Sequence, residues 1–69
     1  MYKEILSIRV KQTIGRYTIV QTKEQYYLED GRRFGREHVV YDVCIDGGDG
    51  DIVYSCYRLN EARKWAKTY

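Results

Sequence analysis

Residues 37–59, EHVVYDVCIDGGDGDIVYSCYRL, hold two runs rich in Val, Ile, Tyr and Cys on either side of a glycine-aspartate segment. Branched and flat side chains favour a pleated surface, and the gap between the runs has hairpin length. Asp46, Gly47, Gly48, Asp49 and Gly50 suit a five-residue loop, because glycine reaches positive φ and aspartate bonds its own nearby backbone. With Ile45 facing Asp51, Cys44 falls opposite Ile52 and Val40 opposite Cys56. One face of the ribbon then carries Val39, Tyr41, Val43, Ile45, Val53, Tyr57 and Leu59, the predicted core. The other carries His38, Val40, Asp42, Cys44, Ile52, Tyr54, Cys56 and Arg58. In this register the two cysteines share a face but stand too far apart to bond.

After Leu59 the apolar period becomes helical, with Leu59, Ala62, Trp65, Ala66 and Tyr69 on one stripe. Asn60 is the expected N-cap, Glu61 suits the positive end of the helix dipole, and Lys64 and Lys67 the negative end. So short a helix is marginal in water unless it docks, and Trp65 is its natural anchor on the sheet. Upstream, EILSIRV alternates Leu6, Ile8 and Val10 with Ser7 and Arg9, and GRYTIVQT follows a break at residues 12–15. Asp30-Gly31 is a two-residue hairpin signal between YYLE and RRF. The expectation is one α+β domain over residues 1–69, an antiparallel meander of four to five strands with one C-terminal helix packed on one face.

A chain of 69 residues limits the core to about ten to fifteen side chains, which leaves no room for a deep catalytic cleft. Twelve basic against ten acidic residues give +2, too balanced for net charge alone to name a partner. No stretch approaches the roughly 18 apolar residues of a membrane span, and Met1 is followed by Tyr2, Lys3 and Glu4 rather than an apolar leader. The expected location is cytoplasmic, without membrane contact, and there the two cysteines stay thiols.

DGGDGD, residues 46–51, resembles a calcium loop only superficially. An EF-hand starting at Asp46 needs glutamate at its twelfth position, where Tyr57 stands; a calcium-binding nonapeptide needs aspartate where Ile52 stands and needs stacked copies. His38, Cys44 and Cys56 lack C-x-x-C spacing and a fourth ligand of the usual type, and Ser7 and Ser55 lie in strands without an evident base. The sequence therefore predicts no catalytic residue, no metal and no cofactor.

Two surfaces remain. GRRFGRE, residues 31–37, sets Arg32, Arg33 and Arg36 beside Phe34, a cluster suited to phosphate or to an acidic protein surface. The sheet face opposite the helix carries Val40, Cys44, Ile52, Tyr54 and Cys56, more apolar than water alone requires. An N-terminal strand folded over it would cover it; otherwise it is a site for a partner or for a homodimer. Eight tyrosines suit such contacts, since Tyr offers flat, amphipathic area at low entropic cost.

VVYDVCIDGGDGDIVYSCYRLNEARKW, a hairpin followed by a helix, resembles the arm-type DNA-binding domains of tyrosine integrases, which lay a sheet in the major groove. That resemblance implies arginines on phosphates, although Glu37, Asp42, Asp46, Asp49 and Asp51 would repel them. A short chain with a small sheet, one helix, many tyrosines and no catalytic constellation also resembles, as a class, the phage and mobile-element proteins of the anti-CRISPR and anti-defence type. This resemblance implies an inhibitor that binds a larger host protein, such as a defence nuclease complex, and blocks it. The expected contacts are Val40, Asp42 and Tyr54 on the open face, Arg32, Arg33 and Arg36 in the basic arm, and Asp46, Asp49 and Asp51 in the acidic turn.

Overall fold

Four strands and a helix follow one another: β1 (Tyr2–Ile14), β2 (Tyr17–Tyr27), β3 (Arg33–Ile45), β4 (Ile52–Cys56) and α1 (Leu59–Thr68). The computed structural model describes residues 1–45 and 50–69. The strands pair in chain order, each antiparallel to the next, so the sheet is the expected meander with four strands. β1 and β3 each have 13 residues; at about 3.3 Å per residue each strand runs roughly 40 Å, consistent with a molecular long axis of 43 Å. α1 has 10 residues, a rod of about 15 Å. It therefore covers one end of one face and nothing else.

The turns show how local chemistry sets this frame. No break interrupts β1 at residues 12–14, since Gln12, Thr13 and Ile14 pair with Ile19, Thr18 and Tyr17. Only Gly15 and Arg16 form the turn, with Gly15 at φ 59°. Between β2 and β3 the loop is one residue longer than Asp30-Gly31 suggests. The Leu28 amide donates to the Arg32 carbonyl at 2.8 Å and the Gly31 amide to the Leu28 carbonyl at 2.9 Å, a three-residue connection closed by a left-handed glycine. Asp30 stabilises it by accepting from the Arg32 amide at 3.0 Å.

Further along, the β2–β3 register slips between Glu24 and Tyr26. Gly35, at φ 77°, absorbs the kink. Such a slip strands backbone carbonyls, and the Gln25 side chain answers it: its Nε2 reaches the carbonyls of Tyr26 at 3.0 Å, Gly35 at 3.1 Å and Phe34 at 3.4 Å. A buried glutamine thus holds a bulge together.

Between the sheet and α1, Tyr17, Ile19, Val43 and Cys56 pack against Ala62 and Ala66 of the helix, flanked by Ile14, Tyr41, Ile45, Tyr54, Leu59 and Trp65. Trp65 is the aromatic hub. Tyr54 stacks on it at 5.1 Å, Tyr17 meets it edge-on at 5.2 Å, and Tyr69 tilts against it at 5.0 Å. Ala62 and Ala66 let the helix backbone sit close to the sheet. The helix begins two residues earlier than expected, capped by extended Arg58 without a side-chain bond, so Asn60 lies inside its first turn. Starting at Leu59 brings that side chain into the core, which outweighs a missing cap of about 1 kcal/mol.

The β3–β4 ribbon departs from the expected register at one residue. The Ile45 amide donates to the Asp51 carbonyl at 3.1 Å and Cys44 pairs with Ile52, as the hairpin reading requires. Val53 is then an extra residue, and Tyr54, Ser55 and Cys56 pair with Val43, Asp42 and Tyr41. A single bulge reverses every later side chain. Tyr54 and Cys56 consequently face the helix instead of the open side, while Val53 and Tyr57, expected in the core, are exposed. The cysteines lie on opposite faces, Cys44 opposite Ile52 on the open side and Cys56 in the core.

Candidate functional site

The sheet face turned away from α1 is built by alternation on three long strands. Its cross-strand rows run Ile5–Glu24–His38, Ile8–Thr22–Val40 and Val10–Val20–Asp42–Ser55, ending at Thr13–Thr18–Cys44–Ile52. The chain's beginning does not fold over this face; β1 adds to the sheet edge beside β2. On the central strand, Thr18, Val20, Thr22 and Glu24 are buried by their neighbours. On the flanks the apolar groups stand in the open: Ile8 is 68% exposed, Val10 60%, Ile52 58% and Phe34 52%.

Two polar clusters interrupt the apolar rows. Asp42 accepts from Ser55 Oγ at 2.7 Å and from Thr22 Oγ1 at 3.5 Å, so the one carboxylate in the middle of the face is tied into the sheet. Toward the other end Glu24 bridges Lys3 Nζ, at 3.0 Å, and His38 Nε2, at 3.0 Å. The hydrogen bond and negative charge of Glu24 raise the Lys3 pKa above 10.5. The His38 ring stacks on Tyr26 at 5.2 Å and its Nδ1 lies 3.5 Å from the Arg36 carbonyl. Both ring nitrogens of His38 therefore have partners. Cys44 lies six residues further along the strand and Cys56 behind the sheet, so the three residues do not assemble a nucleophile or a thiolate metal site. Among the described residues no three His, Cys, Asp or Glu side chains gather as a metal centre would require.

The sequence-predicted contacts are distributed unevenly over this frame. Val40 and Asp42 lie on the open face, partly exposed. Tyr54 does not, being stacked beneath α1 because of the Val53 bulge. Arg32, Arg33 and Arg36 cluster at the β2–β3 hairpin, where Arg32 is clamped by Asp30 through Nε at 2.6 Å. Arg33 and Arg36 are exposed and form no ion pair among the described residues. Asp51 is exposed at the opposite end of β3; Asp46 and Asp49 lie outside the described residues. Arms separated by the length of a 13-residue strand cannot converge on one pocket. They mark the two ends of a ribbon whose middle sets Ile8, Val10 and Val40 around Asp42. Missed by sequence reasoning were Ile5, Ile8 and Val10, although the alternation of Ile8 and Val10 with Ser7 and Arg9 already sorted that strand into a greasy and a polar side.

No helix among the described residues is long and apolar enough to cross a membrane. No known protein family, no curated protein and no solved structure matches the chain.

Proposed function

We propose that this chain is a binding module that lays its open sheet face on a larger protein and blocks it, in the manner of anti-CRISPR-type inhibitors of a defence nuclease complex. The observation that carries the reading is the exposure of Ile8, Val10 and Ile52 on a face that no other described element covers. Exposed apolar side chains gathered on one face of a small domain mark an interaction surface, and a few buried anchors supply most of the affinity of such a contact. Arg33 and Arg36 at one end favour a partner with acidic groups there and speed its approach. With a formal charge of +2, the chain works by steric occlusion rather than by imitating a nucleic acid.

The test is cleavage of target DNA by purified defence nuclease complexes with the protein added. Wild type reduces cleavage by at least one complex, and Ile8→Asp combined with Val40→Asp restores it while the far-ultraviolet spectrum is unchanged. Inhibition that survives both substitutions would remove the open face from the mechanism.

The runner-up is a sheet-type DNA-binding module, favoured by the exposed guanidinium groups of Arg33 and Arg36. Its signature is affinity for generic duplex DNA that falls steeply with salt. Glu24 and Asp42 on the open face weigh against it, since each would approach phosphate as a carboxylate.

A further inference from the structure

The two edges of the sheet are unlike. β4 is five residues long, whereas β1 has 13, and its outer backbone faces no other strand among the described residues. A long edge with free amides and carbonyls is a template for another strand unless something blunts it. Here the chain has no proline to do so. α1 reaches β1 at Gln12, where Arg63 Nε donates to Oε1 at 2.7 Å, and at Ile14. β1 also carries two charges that the fold leaves unmatched. Glu4 and Arg9 are exposed and form no ion pair among the described residues.

We propose that β1 pairs antiparallel with β1 of a second copy about a two-fold axis at Ser7, joining the sheets edge to edge. Such an axis stands perpendicular to the sheet, so paired residues must share a face. The register shift between Ile5 and Ser7 makes Leu6 the extra residue, and Ile5 and Ser7 occupy successive ladder positions. Centring the axis on Ser7 then sets Ile5 against Ile8 of the second copy, Glu4 against its Arg9 and Lys3 against its Val10. Every one of these pairs is face-consistent: Lys3, Ile5, Ile8 and Val10 lie on the open side, Glu4 and Arg9 on the other. The opposite-charge pair occurs twice by symmetry.

Neighbouring registers lose this match. An axis at Ile8 leaves Glu4 opposite Gln12, an axis at Ile5 leaves it opposite Ser7, and an axis at Arg9 sets the two guanidinium groups against each other. The bulged Leu6 residues fall on either side of the axis and bend both strands alike. Because the axis preserves faces, the two open faces come to lie side by side as one wider apolar surface.

Sedimentation velocity of the full chain across a concentration series tests this. Wild type associates to a dimer, and Glu4→Arg or Arg9→Glu, each of which sets like charges together twice, weakens it by about tenfold or more, while the double exchange Glu4→Arg with Arg9→Glu returns affinity to within about threefold. Circular dichroism on each variant separates lost pairing from lost fold. As an independent readout, Ser7→Cys forms an intermolecular disulfide on mild oxidation faster than Ile8→Cys does. A monomer at every concentration, a dimer indifferent to both single reversals, or a double variant no tighter than the singles overturns the proposal. A dimer abolished by Val40→Asp but not by either reversal also overturns it, assigning self-association to the open face.

Discussion

Gly35 and Cys44 are two residues whose chemistry the fold uses directly. A Cβ at Gly35 would touch nothing within 4 Å, yet φ is +77°, so Gly35→Ala costs backbone strain alone, about 1 kcal/mol, and lowers the melting midpoint by roughly 4–8 °C. Gly35→Asn, which tolerates this region better, costs less in the same melt. Burial, with help from the Asp42 charge, pushes the Cys44 thiol above its ordinary 9.0. A group whose pKa is raised by folding contributes stability that is complete below its unfolded value and lost as pH climbs through the folded one. Lys3, raised above 10.5 by Glu24, follows the same sign. Stability against urea is therefore expected to start falling only above about pH 9 on account of these groups, and alkylation of Cys44 at pH 8 to be much slower in the native protein than in urea. Rapid native alkylation would place the thiol in solvent.

At the scale of elements, the hairpin and the helix were legible because each depends on neighbours in sequence. The β-rich runs around the glycines, the Ile45–Asp51 closure and the 59–62–66 stripe all follow from local period and turn chemistry. The bulges were not. Val53 sits in a run, IVYSC, whose alternation reads equally well without it, and only the demand that Tyr54 and Cys56 fill the space under Trp65 selects the shifted register. The same holds for Gln25 and Gly35, where a glutamine side chain substitutes for ladder bonds that no spacing rule anticipates. Two deletions probe this by far-ultraviolet circular dichroism. Removing Val53 leaves Tyr54 opposite Val43 and is tolerated; removing Ser55 turns Cys56 toward the open side and unfolds the chain. Trp65→Ala, which empties the centre of the aromatic cluster, costs about 3–5 kcal/mol, comparable with the whole stability of so small a domain.

At the scale of the molecule, a long sheet is sealed by a short helix at one end, and that mismatch is where a function is to be sought. The candidate surface was half legible. Val40, Asp42, Cys44 and Ile52 follow from the hairpin, but Ile5, Ile8 and Val10 join them only through the β1–β2 register, and Tyr54 leaves through the bulge. The arginine arm and Asp51, grouped as contacts by their charge, lie at opposite ends of the ribbon. On the proposed function, the uncovered face serves partners and not the fold. The decisive measurement is target-DNA cleavage by defence nuclease complexes titrated with wild type and with the Ile8→Asp/Val40→Asp variant. The variant is expected to melt cooperatively within a few degrees of wild type yet to need at least about tenfold more protein for the same inhibition. Equal potency, or a variant that no longer folds, would contradict it.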